Sequence, residues 1–416
     1  MKICVVGLGY VGLPLAINFA KHFKVIGFDI NEKRISKLKQ GNDETKEFKK
    51  EDFESVKENI EFTTDEEKIK DSDIIIITVP TPTTKHKNPD LRFIESASRI
   101  VGRNLKRNAI VVYESTVYPG CTEEFALPIL EKESGMKLGE FKIGYSPERV
   151  NPGDKVHTLD KITKVVAGID EETTKILVDI YSKITKIYPV KSIKVAEASK
   201  VIENIQRDVN IALFNEFAII FKKLGINSKE VFDAASTKWN FLRFYPGFVG
   251  GHCLPEDPHY LAYKAKEVGY NPNIILSARR TSDYVPKFVA KELVKLMIKN
   301  DFDFKTSKIG IFGATYKENV PDLRESKVKE LIDYLQEYGI KDQRIVIIEP
   351  LIDEESLFGV KRIGNPKEKY DIIIYAVDHD VFSNLRIEDY MKDRSIVIDI
   401  KRRLEHLKDK AIYWGL

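Results

Sequence analysis

The sequence is poor in cysteine: Cys4, Cys121 and Cys253 are the only three among 416 residues. An odd count with no close pairs argues against a disulfide framework or a thiolate metal site, so no metal is expected and a reducing, cytoplasmic compartment fits. Long apolar runs are missing too. No stretch approaches the roughly 20 unbroken apolar residues of a membrane span, so no membrane partner is expected. Charge of one sign is scarce as well: 67 Lys and Arg stand against 64 Asp and Glu, a net charge of +3. That is too little for nucleic acid or an anionic membrane surface. Low-complexity segments and sequence repeats are absent. The apolar stretch after Lys2 has a signal-peptide flavour, but Gly7, Gly9 and Gly12 interrupt it. Lys21 and His22 then follow with no small-residue cleavage site, which favours a mature strand and helix.

What is present is ample material for cores, with 43% hydrophobic and 31% charged residues. At this length two or three domains are expected. Short apolar runs at 2–6, 24–28, 73–79 and 109–113 alternate with amphipathic stretches. Continuous apolar strands separated by helices indicate a parallel sheet covered on both faces. The pattern then changes to one long helix over 195–224, with apolar positions Val201, Ile205, Val209, Ala212 and Leu213. A loop around 245–258 follows, and helical segments continue to about 299. Strand alternation returns at 308–312, 344–348, 371–377 and 395–400, with 300–306 as the linker. The expected fold is α/β: a Rossmann-type domain over 1–190, a helical central domain over 191–300 and a Rossmann-like α/β domain over 301–416.

The run Gly7-Leu8-Gly9-Tyr10-Val11-Gly12 follows a predicted strand and opens a predicted helix. Its glycines suit a tight turn, close approach of a pyrophosphate and close helix packing, and the helix N-terminus offers free N–H groups to phosphate. Asp29 ends the second predicted strand 17 residues after Gly12. Its carboxylate can accept from a ribose hydroxyl and would repel a 2′-phosphate, which favours NAD over NADP. Lys33 and Arg34 pull the other way; Arg34 by itself reads as a solvated helix residue, but beside Asp29 it is counted among the cofactor-binding residues. Thr81 and Thr116 sit in loops that end two further strands, at the edge where such sheets bind ligands.

Lys200 and Asn204 are four apart on the long helix and share a face, with Arg207 close to it. Lys200 taken alone reads as a surface residue; desolvated in a cleft, it could act as an acid or base. The segment Gly247-Phe248-Val249-Gly250-Gly251-His252-Cys253-Leu254-Pro255-Glu256-Asp257 places a cysteine behind a glycine-rich loop with a carboxylate four residues on. This is the setting of an activated thiol, although a free cysteine is usually a small buried hydrophobe.

Taken together, these motifs resemble the UDP-glucose/GDP-mannose dehydrogenase family over nearly the whole chain. The resemblance rests on the glycine fingerprint, Glu114-Ser115-Thr116-Val117, Ser146-Pro147-Glu148-Arg149-Val150, Lys200 with Asn204, Gly250-Gly251-His252-Cys253, and Tyr316-Lys317-Glu318-Asn319 followed by Asp322-Leu323-Arg324. It implies an NAD-binding domain, a helical domain that also forms a homodimer or higher homo-oligomer, and a UDP-binding domain. It implies Cys253 as nucleophile, with Lys200, Asn204 and Asp257 around the reacting C6 and Glu148 and Thr116 near the nicotinamide and the water. Arg149, Val150, Arg207, the 245–251 loop with Tyr245 and Gly250, Tyr316 and Lys317 would hold a UDP-sugar. Lys401 or Arg402 would reach its UDP end, and Arg324 would reach NAD. Pro152 stands where UDP-glucose enzymes carry a second glutamate, and Glu256 where they carry lysine. Both departures, with 146–153 and Trp239-Asn240-Phe241, resemble the N-acetylhexosamine branch, whose product feeds glycan precursors.

Oxidising a primary alcohol to an acid takes two hydride transfers and one water. A thiol that traps the intermediate aldehyde as a thiohemiacetal, later a thioester, meets that need. Three rivals stand beside this reading: a UDP-glucose 6-dehydrogenase, a one-step hydroxyacid dehydrogenase, which needs neither Cys253 nor a second α/β domain, and a non-catalytic nucleotide-sugar sensor.

Overall fold

A computed structural model describes residues 1–45, 47–149, 156 and 158–416. Val150, and with it Pro152, lies outside the described residues. The chain forms two compact units, residues 1–203 with 259–271 and residues 204–258 with 272–416.

The first unit is built on an eight-stranded sheet: β1 (Lys2–Val6), β2 (Lys24–Phe28), β3 (Ile60–Thr63), β4 (Ile74–Ile77), β5 (Ile110–Tyr113), β6 (Lys142–Tyr145), β7 (Thr163–Gly168) and β8 (Lys186–Pro189). The spatial order is β3-β2-β1-β4-β5-β6-β7-β8, and every neighbouring pair is parallel except β6 with β7. The first six strands thus follow the doubly wound order, with the chain reversing direction between β1 and β4. Helices α1 (Gly12–Ala20), α2 (Glu32–Lys39), α3 (Lys50–Val56), α4 (Arg92–Arg103), α5 (Leu127–Ser134) and α6 (Glu171–Tyr181) belong to this unit. Ile3, Val5, Ile76 and Val112 of the sheet are buried with Leu13 and Ile17 of α1 and Leu177 and Tyr181 of α6 in one core. Burial on both faces is why the strands read as continuous apolar runs.

The long helix α7 spans Ile193–Leu224. Its buried stripe differs from the expected one: Val201, Ile205 and Ala212 are buried, but Leu213 is exposed. The inward positions run through Glu197, Lys200, Asn204, Asp208 and Asn215, all buried. Leu213 sits one residue, about 100°, round the helix from Ala212 and misses that stripe. The helices α8 (Ser228–Ala235), α9 (Cys253–Glu267) and α10 (Asn273–Lys299) follow. The loop expected over 245–258 is therefore shorter, because α9 starts at Cys253. Pro255 lies in its first turn, where an N–H has no intrahelical partner, and Pro258 removes a single ladder bond.

The second unit has seven strands: β9 (Ile309–Phe312), β10 (Ile345–Ile348), β11 (Ser356–Leu357), β12 (Val360–Ile363), β13 (Tyr370–Tyr375), β14 (Met391–Asp399) and β15 (Ile412–Gly415), ordered β11-β12-β10-β9-β13-β14-β15. With the antiparallel edge strand β11 set aside, this is the same winding as in the first unit. Val285, Phe288, Val289 and Leu293 of α10, with Leu331 and Leu335 of α11 (Lys327–Glu337), pack on Ile309, Ile311, Ile372 and Ile374 of the sheet. Phe312, Tyr370, Ile373 and Val397 form a smaller core on the other face. Among the described residues no helix is long and apolar enough to cross a membrane.

Candidate active site

The glycine-rich turn after β1 uses each glycine differently. Gly7 has φ +93°, and a Cβ there would lie 3.1 Å from the Thr78 carbonyl oxygen. A Cβ on Gly12 would lie 1.8 Å from the Gly7 carbonyl oxygen, so α1 packs on the turn only without one. At Gly9 nothing lies within 4 Å, which leaves open space beside the backbone for a phosphate. Val11 stands at the N-cap of α1 and Tyr10 is exposed.

Asp29 is occupied on both oxygens: Leu8 N–H donates to Oδ2 (2.8 Å) and Asn31 N–H to Oδ1 (2.9 Å). It fixes the glycine turn while keeping lone pairs for a ribose. Arg34 corrects the solvated reading, since it is buried, with Nε donating to the Leu8 carbonyl (3.1 Å) and a terminal nitrogen to Asp43 Oδ1 (3.0 Å). A guanidinium so engaged braces the turn and is not free to take a 2′-phosphate. These features fit NAD: room at Gly9, N–H groups at the start of α1, and a carboxylate at the end of β2. Thr81 is buried after β4, its carbonyl accepting from Tyr260 Oη (3.0 Å).

Past the carboxyl ends of β5 and β6 lies a buried ionic cluster that sequence reasoning missed. Lys164 Nζ, fully buried, donates to Glu114 Oε2 (2.6 Å) and the Pro147 carbonyl (3.2 Å) and lies 3.7 Å from Glu148 Oε2. Tyr181 Oη donates to the other Glu114 oxygen. Burial opposes the Lys164 charge, but Glu114 and Glu148 outweigh it and hold its pKa above the ordinary lysine value. Burial pushes the Glu114 carboxyl up to about 7 against the pull of Lys164. Thr116, half-buried, is two residues along from Glu114, and Arg149 pairs with Glu203 (2.8 Å). Glu197 was also missed. It accepts from Gly120 N–H (2.5 Å) and Thr122 N–H (2.9 Å), and burial pushes it up to about 7. The signal for it was present, since it precedes Lys200 by about one turn on the inward stripe. Lys200 itself is buried, which overturns its surface reading.

In the second unit Asn204 Nδ2 donates to Asp257 Oδ2 at 2.6 Å, with both side chains buried. Lys200 lies one turn before Asn204 on α7, and Cys253, exposed at the first residue of α9, lies one turn before Asp257. Helix starts favour a charged sulfur, because free backbone N–H groups point at it. His252 faces Glu256 at 3.4 Å. Arg207 and Tyr245 are exposed.

A pocket at the carboxyl ends of β9 and β13, the reversal point of this sheet, is lined by Gly250, Tyr316, Lys317, Glu318, Val377 and Lys401, among others. A Cβ on Gly250 would lie 2.6 Å from the Glu325 carbonyl oxygen, and one on Gly251 (φ +85°) 2.6 Å from the Tyr316 ring. The glycine pair thus lets the Tyr316 loop close on the segment before Cys253. Lys401 pairs with Glu318 (2.5 Å), whereas Arg402 turns to the Leu416 carbonyl (2.6 Å), Asn227 and Ser228. Of these two residues, only Lys401 lines the pocket. Arg324, exposed, grips Asp322 through Nε (2.9 Å) and a terminal nitrogen (2.6 Å). Glu349, after β10, accepts from Ala314 N–H (2.8 Å) and faces His379 Nε2 (3.0 Å). It repeats here what Asp29 does for Leu8.

Three family models match in order: the NAD binding domain of the UDP-glucose/GDP-mannose dehydrogenase family over residues 1–185, its central domain over 194–284 and its UDP binding domain over 310–406. The chain belongs to the UDP-glucose/GDP-mannose dehydrogenase family. This dehydrogenase is 49% identical to protein CapL of Staphylococcus aureus, over 96% of its own chain and 95% of the relative. It is 46% identical to the UDP-N-acetyl-D-glucosamine 6-dehydrogenase of Salmonella typhi, over 96% of each chain. Among solved structures, the UDP-D-ManNAc dehydrogenase of Pyrococcus horikoshii superposes with a TM-score of 0.89 at 31% identity, covering 100% of this chain and 99% of that one. The chain is an NAD-dependent UDP-sugar dehydrogenase.

Proposed function

We propose that this dehydrogenase oxidises the C6 hydroxymethyl group of UDP-N-acetylglucosamine or its manno epimer twice, to the uronate. The buried Asn204–Asp257 contact beside Cys253 carries the reading, because it joins an oriented amide and a carboxylate to an accessible thiol. The choice of sugar follows the relatives. Identity is 46% to the Salmonella UDP-N-acetyl-D-glucosamine 6-dehydrogenase and 25% to the UDP-glucose dehydrogenase of Pyrobaculum islandicum.

NAD, when bound, accepts one hydride from C6 in each of the two oxidations. It would be held by the Gly7–Gly12 turn and Asp29, with Thr81, Thr116 and Arg324 as further contacts. Lys200 takes the alcohol proton in the first step. The Cys253 thiolate then adds to the aldehyde carbon, and Lys200 and Asn204 stabilise the resulting oxyanion as preplaced donors. Loss of the second hydride leaves a thioester on Cys253. Water positioned by Thr116 and Glu148 attacks its carbonyl carbon, the C–S bond breaks, and the thiolate leaves the uronate behind. Asp257 keeps the Asn204 amide oriented throughout. Arg149, Val150, Arg207, Tyr245, Gly250, Tyr316, Lys317 and Lys401 hold the UDP-sugar, whose remote binding energy aligns C6. Residues 1–190 then serve NAD, 191–300 dimerisation and the catalytic side chains, and 301–416 UDP. The enzyme works in the cytoplasm as a homodimer or larger homo-oligomer.

NADH formation with UDP-N-acetylglucosamine, its galacto and manno epimers and UDP-glucose tests this directly. The expected result is two NADH per uronate, and an N-acetylhexosamine ahead in kcat/KM by roughly tenfold or more. One NADH per product would refute the double oxidation, and a preference for UDP-glucose would refute the choice of sugar.

A further inference from the structure

We propose that Lys164 is a positioning residue that holds Glu148 as a fixed carboxylate at the reacting end of β6 and links it to Glu114 beside Thr116. The proposal rests on the reading above that Glu148 serves the catalytic water.

The geometry starts from strand direction. Because β7 runs antiparallel to β6, with Gly144 opposite Gly168 and Tyr145 opposite Ala167, the start of β7 lies at the carboxyl end of β6. Continuing that register past the strand end sets residue 164 against 148. A parallel strand would have carried Lys164 to the far edge of the sheet. Instead its ammonium joins Glu114 Oε2 (2.6 Å), the Pro147 carbonyl (3.2 Å) and Glu148 Oε2 (3.7 Å).

A fully buried cation is a poor way to gain stability, since an apolar side chain of similar volume often serves as well. Here it ties together two segments, after β5 and after β6, that both carry proposed catalytic groups. Tyr181 Oη donates to Glu114 from α6, so the cluster is braced on its far side. Among the described residues, the groups that face or influence Glu148 are Lys164 on β7, Glu114 after β5, Tyr181 on α6 and Glu47 between α2 and α3. Arg149 donates its backbone N–H to Glu148 Oε1 (2.6 Å) but sends its guanidinium to Glu203 and the Thr163 carbonyl. Lys164 thus brings a fully buried ammonium to the Glu148 carboxylate.

The test reads the step that Glu148 is proposed to serve. Lys164→Met should slow hydrolysis of the Cys253 thioester, so kcat should fall by about tenfold or more, while KM for the UDP-sugar and NAD affinity stay within a few-fold of wild type and the acyl-enzyme accumulates in the intact-protein mass spectrum. Lys164→Arg keeps the cation and should restore kcat. If Lys164→Met fails to fold, Lys164→Met/Glu114→Gln removes the unpaired carboxylate and should show the same accumulation. A folded Lys164→Met with the wild-type kcat and no accumulated acyl-enzyme, or no rescue by Lys164→Arg, overturns the proposal. Glu148→Gln with the wild-type rate would instead overturn the catalytic reading of Glu148.

Discussion

Asn204 and Asp257 lie 53 positions apart, yet the Asn204 amide donates to Asp257 Oδ2 at 2.6 Å and both side chains are buried. The carboxylate decides which way the amide faces, and the proposed mechanism uses the second N–H of that amide for the oxyanion. Asn204→Ala should therefore lower kcat by about 10²- to 10³-fold, the scale for losing one such donor. NAD affinity, measured by calorimetry, should not change. A loss below about threefold would remove Asn204 from oxyanion stabilisation.

Cys253 is exposed at the start of α9. Cys253→Ala should fold with stability within about 0.5 kcal/mol of wild type, as surface changes usually do. It should bind both nucleotides and form no uronate. Product analysis with excess NAD decides the matter, because uronate at a rate near wild type would exclude the thiol as nucleophile.

Asp29 holds Leu8 N–H and, in the proposed NAD site, faces the ribose. Asp29→Ala should weaken NAD by about 1.5–3 kcal/mol for each charge-assisted hydrogen bond lost, read as an increase in Kd. The wild-type enzyme should refuse NADP, because Arg34 is spent on Leu8 and Asp43. Comparable kcat/KM with NADP would show that Asp29 does not discriminate.

The buried acid Glu197 makes stability depend on pH with a definite sign. Burial raises its folded pKa from 4.5 to about 7, so between those values the native state holds a proton that the unfolded chain has released. Its contribution is present below about 4.5 and is lost as pH rises through 7, about 3 kcal/mol at most at 1.36 kcal/mol per unit. Glu114, pushed to about 7, and Asp208, pushed to about 6, act in the same direction. Thermal unfolding at pH 5 to 8 should show wild-type stability falling and Glu197→Gln falling less steeply. Parallel slopes would mean that Glu197 is ionised throughout that range.

Much of this protein could be read without coordinates, because its signals are local. The apolar runs before Gly7 and Asp29 are strands since four or five consecutive buried residues suit a sheet covered on both faces. The Gly7, Gly9 and Gly12 roles follow from what a turn and a helix start require of a Cβ. Lys200 and Asn204 share a helix face by periodicity alone, and Cys253 was conspicuous behind Gly250-Gly251. Tertiary structure decided what burial does to charge and which distant groups meet. Arg34 looked like a solvated residue until the fold enclosed it between Leu8 and Asp43. Lys164 gave no signal, because one lysine in an apolar strand acquires meaning only when β7 runs antiparallel and delivers it to Glu114 and Glu148. Backbone periodicity is set by neighbours in sequence, but the partner of a buried charge is set by strand direction and packing across tens of residues, 50 for Lys164 and Glu114, and only the folded chain fixes those.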